Sequence, residues 1–304
     1  SVGAFADYEQ LTGGVETLFG AGGRSVEEYA QSVGKSVSDI QGKYDSLMSA
    51  QNVVLENANK AYMTAGMSAN EYMDTVTGFS ASLISSLGGD TNKAADYANS
   101  ALVDMSDNAN KMGTDMESIK NAYQGFAKQN YTMLDNLKLG YGGTKEEMQR
   151  LLTDAQKISG VKYDINNLSD VYNAIHVIQG QLDITGTTAK EASTTISGSL
   201  GSMKAAFKNV LGQITLGMDV GPALSALATT TTTLLVGNLL PAIWNILSGL
   251  PMALVTFIQT LIPQLIAAVI QFIPGILTAI QTGLPQLYEM ANEILIQLTN
   301  AIQT

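Results

Sequence analysis

Thr144-Lys-Glu-Glu-Met-Gln-Arg-Leu-Leu-Thr-Asp-Ala-Gln-Lys-Ile-Ser-Gly160 opens on a hydroxyl residue, places a glutamate three positions later and closes on glycine. In a capping box the Thr144 hydroxyl and the Glu147 carboxylate satisfy orphan helix donors reciprocally, and a terminal glycine supplies the left-handed turn that stops a helix. The stretch reads as a helix over 144–159. The same spacing recurs at Ser25/Glu28, Ser68/Glu71, Thr114/Glu117 and Thr188/Glu191, with Met67 and Tyr72 placed to form a hydrophobic staple around Ser68. Stops recur at Gly66, Gly88-Gly89, Gly113, Gly142-Gly143, Gly160 and Gly186.

These starts and stops predict helices over 25–34, 37–65, 68–87, 91–111, 115–134, 144–159, 167–182 and 188–216. A shorter one is expected around Tyr8–Phe19. Nothing alternates with period two, and only Val161–Ile165 could be extended. The expected fold class is all-α. Ala, Ser, Thr, Asn and Gly fill many helical positions, so each helix buries little apolar area by itself and stability is expected to depend on packing with partner chains.

Charge divides the chain. All 16 Lys and Arg and 25 of the 27 acids fall at or before Asp219, so residues 1–219 carry −9 of the net −11. From Val220 to Tyr288 no residue is charged. Three regions follow: a Gly-rich lead-in over 1–24, a polar Ala/Ser-rich helical region over 25–219, and an apolar repeat region over 220–304. An acidic surface excludes a phosphate-binding groove, because affinity for nucleic acid comes largely from Lys and Arg, so no sequence-specific nucleic-acid binding is expected. Without cysteine there is neither a disulfide framework nor a thiolate metal site. The opening Ser1-Val-Gly-Ala and the stop within a repeat are what a piece of a longer polypeptide would show, with no visible signal peptide.

The apolar region is punctuated by Pro241, Pro251, Pro263, Pro274 and Pro285, at spacings of 10, 12, 11 and 11. Eleven residues make three turns at about 3.67 residues each, which favours a right-handed supercoil and a multi-chain bundle. Gln264, Gln271, Thr282, Gln286, Glu293 and Gln297 fall on one narrow polar stripe. Leu265, Ile266, Val269, Phe272, Ile276 and Ile280 form the oily remainder, a face for lipid or for copies of the same helix. About 20 apolar residues span a bilayer, so 234–273 could cross once or twice. Each proline removes a backbone donor that lipid cannot replace, which favours a bundle, a homotrimer above all, with the stripe on a shared axis. The five threonines of Thr229–Thr233 are a weak point for helix continuity.

No active site is legible. His176, the one histidine, lies in Val171-Tyr-Asn-Ala-Ile-His-Val-Ile and reads as a packed or surface residue. The sequence leaves a Ser–His–acid triad open but sets no G-x-S-x-G elbow beside it. Gly34-Lys35-Ser36 echoes a phosphate-binding loop, yet Tyr29 stands where the motif needs glycine. Glu27-Glu28 and Glu146-Glu147 suit first helical turns, and the methionine sets Met105/Met112/Met116 and Met63/Met67/Met73 suit core filling. No catalytic residue, metal ligand or cofactor is expected.

Residues Asn121–Gln179 and Ile184–Phe207 closely resemble tape measure proteins of long-tailed phages and prophages of Gram-positive bacteria. The residues that carry the resemblance are Tyr131-Thr-Met-Leu-Asp-Asn-Leu-Lys-Leu-Gly-Tyr-Gly-Gly-Thr144, Thr187-Thr-Ala-Lys-Glu-Ala192 and Gly198-Ser-Leu-Gly-Ser-Met-Lys204, and the similarity covers roughly 25–215. It implies a structural virion protein, held in the tail tube lumen or tip, that sets tail length and leaves ahead of the DNA. The implied partners are copies of itself, tail tube and tail-tip proteins and the host cell membrane, with phage DNA only a neighbour. The implied location is the virion tail, then the host envelope on infection. A fully helical chain of this length would extend about 450 Å at 1.5 Å per residue, but helices so often broken by glycine are expected to fold back. Two further readings stay open: a purely structural tail-tip bundle that never meets lipid, and a cell-wall hydrolase or pore-forming toxin.

Overall fold

A computed structural model describes residues 2–247, together with Gln264 and Ala267. The described residues are helical with no strand, so the chain is all-α. It divides into two compact units, Ser1–Ala192 and Ser193–Thr304. The charge boundary at Asp219 falls inside the second unit.

The first unit contains α1 (Val2–Phe19), α2 (Val26–Ser32), α3 (Val37–Thr64), α4 (Ala69–Thr77), α5 (Ser80–Ser86), α6 (Thr91–Met112), α7 (Met116–Ala127), α8 (Lys145–Ser159) and α9 (Leu168–Gln181); α10 (Thr187–Thr194) begins in it. Helix α6 is the hub, packed by α3, α4, α5, α7 and α9. The alanines explain how. Ala50, Ala58 and Ala61 of α3 and Ala94, Ala95, Ala98 and Ala101 of α6 are all buried. Small side chains spaced three and four apart let two helices approach closely, so the lean faces are packing surfaces rather than empty ones. Bulk comes from elsewhere: Phe19, Tyr72, Met73, Leu83, Leu102, Tyr123 and Phe126 are fully enclosed in the same core.

Sequence and structure agree where the cap is self-contained. Ser25/Glu28 and Ser68/Glu71 form complete capping boxes, and Met67 and Tyr72 are both buried in the core. At Thr144 the hydroxyl accepts from Glu147 N, while the Glu147 carboxylate turns to Gly142 N and Arg150. At 114–117 the cap is Asp115, which accepts from Ser118 N, and Thr114 donates to Asn108 instead.

Three expected helices are divided or shortened. The helix expected over 68–87 breaks at Gly78-Phe79, where a kink drives Phe79 into the core edge-on against Tyr172, with ring centroids 5.4 Å apart. The one expected to reach 134 stops at Ala127, because Gln129 adopts φ 55° and Asn130 N returns to Gly125 O at 2.8 Å. That is a Schellman stop without its usual glycine. The helix expected over 188–216 is split at Thr195, whose hydroxyl accepts from Gly198 N and starts a new helix. Residues 161–164 are irregular rather than extended.

In the second unit α11 (Ile196–Leu216) ends on Gly217 at φ 63°, and α12 (Gly221–Thr232) returns against it. Val210, Ala223 and Leu224 form the buried seam. The threonine run does not break the helix. Each of Thr229 to Thr233 bonds its hydroxyl to the carbonyl four residues back. Such back-bonding distorts a helix, and the chain continues as a π-helix over Thr233–Leu239 before α13 (Leu240–Leu247). Buried Asn238 closes the wide turn, donating to Thr233 O at 3.0 Å and Ser193 O at 3.2 Å.

Candidate functional site

Of the polar stripe, Gln264 is helical and exposed. Gln271, Thr282, Gln286, Glu293 and Gln297 lie outside the described residues, as do Leu265, Ile266, Val269, Phe272, Ile276 and Ile280. The described part of the apolar region contains one helical stretch, Gly221–Ile243, of 23 residues, long and apolar enough to cross a membrane. Two of its polar side chains, Thr230 and Asn238, are buried within the unit.

The chemistry-bearing cluster lies on the C-terminal half of α6. Asp104, Ser106, Asp107 and Asn108 are all buried. Successive helical residues point about 100° apart, so each addresses a different neighbour. Ser106 Oγ donates to Ala65 O at 2.9 Å, fastening the end of α3. Asn108 donates to Leu137 O and to Gln179 Oε1 and accepts from Thr114 Oγ1. Gln179 of α9 donates in turn to Asp104 O at 3.0 Å. The Asp107 carboxylate accepts the N–H groups of Gly186 at 2.7 Å and Thr188 at 2.8 Å, at the start of α10. That carboxylate caps α10 from another helix, which is why the Thr188/Glu191 spacing does not act as a self-contained box.

Asp104 meets His176. The imidazole Nδ1 lies 2.9 and 3.0 Å from the two carboxylate oxygens, with the His176 side chain 44 % exposed and that of Asp104 2 %. Burial pushes the Asp104 carboxyl above its usual range, against the opposing hydrogen bond from His176. The hydrogen bond to Asp104 raises the imidazole, against partial burial. The carboxylate therefore holds the proton on Nδ1 and leaves Nε2 as the free end of the ring.

The pair lines a cleft of about 270 Å³ between α6 and α9. Asp96, Tyr97 and Ser100 line its α6 side, and Tyr172 and Asn173 its α9 side. Tyr172 is fixed by its hydroxyl, which donates to Tyr123 O at 2.8 Å. Among the described residues the His176 side chain bonds to Asp104 alone. The geometry is that of an oriented base without a bonded nucleophile, and no group of metal-ligating residues forms among the described residues. The reading of His176 as a packed or surface residue missed this pairing, since 72 residues separate the partners.

The other motifs are helix punctuation. Ser36 caps α3 by accepting from Asp39 N, and Gly34 at φ 67° is the turn before it. Glu28 and Glu147 serve caps and their loops. Of the methionines, Met67, Met73 and Met105 are buried and Met63 is exposed. No protein family, curated protein or solved structure matches the chain.

Proposed function

We propose that the chain is a structural component of a phage tail, of the tape-measure type, and not an enzyme. The observation that carries the reading is the joining, in one chain, of a folded helical unit to an uncharged apolar helix. The residues of the tape-measure resemblance lend support, since they occupy built positions. Tyr131, Leu134, Leu137 and Leu139 of the 131–144 loop are buried. In that loop Tyr131 Oη donates to Ile165 O, and a Cβ on Gly143 would sit 2.3 Å from Thr132 O. Thr187–Ala192 is the helix start that Asp107 caps, and Gly198–Lys204 is the first half of α11.

In this role the Ser1–Ala192 unit is a folded head and the apolar region is stored against copies of itself, as a homotrimer, in the tail lumen or tip. Tail tube and tail-tip proteins surround it, and the apolar part enters the host membrane when the genome is ejected. Buried Asn238, which donates outside its own helix to Ser193 O, favours a second form of the same reading, a bundle that stays within the tail. Thr230 bonds only carbonyls of its own helix, as a hydroxyl in lipid also would, and so favours neither form.

The test is quantitative mass spectrometry and symmetry-resolved imaging of intact and emptied tails. The chain is expected in intact tails, in a small fixed copy number, and lost from emptied ones. Its absence from intact tails, or release of peptidoglycan fragments by the purified chain, would overturn the proposal.

A further inference from the structure

We infer that the cleft between α6 and α9 binds the head of a small organic cation, an alkylammonium or alkylguanidinium group, in competition with the proton on His176. Three observations converge on that chemistry.

The first is an excess of acid, two aspartates against one imidazole among the lining residues. Asp96, Ser100 and Asp104 follow one another at four-residue spacing, so they form one row along α6 facing the cleft. Asp96 stands exposed at the rim, and Asp104 lies buried at the floor. Neither lysine nor arginine is among the lining residues, and His176 is the one cationic group available to Asp104.

The second is the wall. Tyr97 and Tyr172 line the same space. A tyrosine face attracts cations through the ring quadrupole, an effect that grows as water is excluded. Half-buried Tyr97 is the ring placed to offer one, since Tyr172 packs against Phe79 and Tyr123. Ser100 and Asn173 add neutral acceptors between the two carboxylates. The third is size. Pockets for drug-sized ligands start near 300 Å³, so a cleft of about 270 Å³ suits a head group with a short alkyl stem.

The titratable and charged groups around His176 are Asp104 and Asp107 from α6 and Tyr172 of its own helix, with Asp96 and Tyr97 at the cleft and Tyr123 of α7 behind Asp104 and Tyr172. All are acids, so protonated His176 is the group an incoming cation must displace or tolerate. Two positive charges beside one carboxylate repel, and binding therefore strengthens as His176 loses its proton. The affinity rises with pH, by at most about tenfold per unit, and levels off once the imidazole is neutral.

His176 is the one histidine, so its ring resonances report on the cleft without assignment ambiguity. The experiment titrates the whole chain with n-butylammonium, n-butylguanidinium and n-butanol at constant ionic strength while following the His176 ring by NMR. Either cation is expected to shift the ring saturably, with a roughly millimolar Kd, and to lower the pH at which it titrates. Butanol is expected to do neither. Asp96→Asn and Tyr97→Leu alter the rim without touching the buried pair, and each is expected to weaken binding about two- to fivefold. An acetylated, amidated lysine pentapeptide separates the sources. Binding as tight as butylammonium assigns the site to a partner's basic side chain, and weaker binding assigns it to a free amine. The proposal fails if the cations and butanol act alike, if the shift does not saturate, if neither rim variant changes it, or if affinity falls as pH rises.

Discussion

Asp107 holds Thr188. The carboxylate, fully buried on α6, accepts the Thr188 N–H at 2.8 Å and, with its other oxygen, that of Gly186 at 2.7 Å. The N-terminus of α10 is thus capped by a charge from 81 residues away. Hydrogen bonds to charged groups contribute about 1.5–3 kcal/mol each, and the positive end of the helix dipole adds to them. Asp107→Ala leaves both amides without this acceptor, and a loss of about 2–4 kcal/mol is expected by denaturant titration. Asp107→Asn keeps one acceptor oxygen and should lose about half as much. Amide exchange should quicken first at 186–190, which distinguishes a lost cap from a general loosening.

Two glycines should respond to alanine with opposite signs. Gly143 has the Thr132 carbonyl oxygen 2.3 Å and its carbon 3.0 Å from where a Cβ would stand. Both are backbone atoms and cannot rotate aside, so Gly143→Ala is expected to cost about 1–3 kcal/mol through overpacking. Gly42 sits exposed within α3, with nothing within 4 Å of its Cβ position. There alanine removes only the entropic penalty of glycine, and Gly42→Ala should stabilise by about 0.5–1 kcal/mol. Thermal unfolding of the two variants beside wild type checks both signs at once.

The His176–Asp104 pair gives stability a defined pH dependence. The hydrogen bond that His176 donates to Asp104 raises the imidazole in the folded state. Its contribution is therefore complete below the unfolded histidine value of about 6.5 and fades as pH climbs through the higher folded value. Asp104 is also raised, by burial, so ionising it in the folded state costs stability that pairing with His176 offsets. Breaking a wholly buried pair costs about 3–5 kcal/mol. With the imidazole 44 % exposed, about 1–2 kcal/mol is the expectation for His176→Ala near pH 6. The gap between wild type and variant should narrow toward about pH 9. A gap that widens with pH would contradict the assigned direction.

What the sequence made legible was local. Ser25/Glu28 and Ser68/Glu71 each complete a cap within four residues, so spacing alone identified both helix starts. Where the partner is distant, spacing misleads. Thr188 is capped by Asp107 rather than by its own hydroxyl and Glu191, and Thr114 spends its hydroxyl on Asn108. Gln129 ends α7 in a left-handed turn that the sequence marks with no glycine. The break at Phe79 follows from a ring that needs Tyr172, more than ninety positions away in the chain. The candidate cleft was illegible for the same reason, since Asp104 and His176 meet only because α6 and α9 pack. Nothing in Asp-Met-Ser-Asp-Asn states which of its side chains will be buried, nor against what.

The helical stretch Gly221–Ile243 separates the two forms of the proposed function through one residue. Val236 is 49 % exposed, whereas Leu234 and Asn238 on either side are buried. Aspartate at 236 therefore disturbs little of the packing within the unit, and helicity by circular dichroism is expected to stay unchanged. In a membrane an aspartate near the centre of a span costs about 2.5–3.5 kcal/mol on the insertion scale. If the stretch enters lipid, Val236→Asp should cut dye release from vesicles by the full chain about a hundredfold, as that cost implies. Leu234→Asp is the contrasting change, because it places a charge in a fully buried position and should unfold the second unit. Equal dye release from wild type and Val236→Asp would assign the stretch to a bundle packed inside the tail, with the bond from Asn238 to Ser193 O as an internal polar contact.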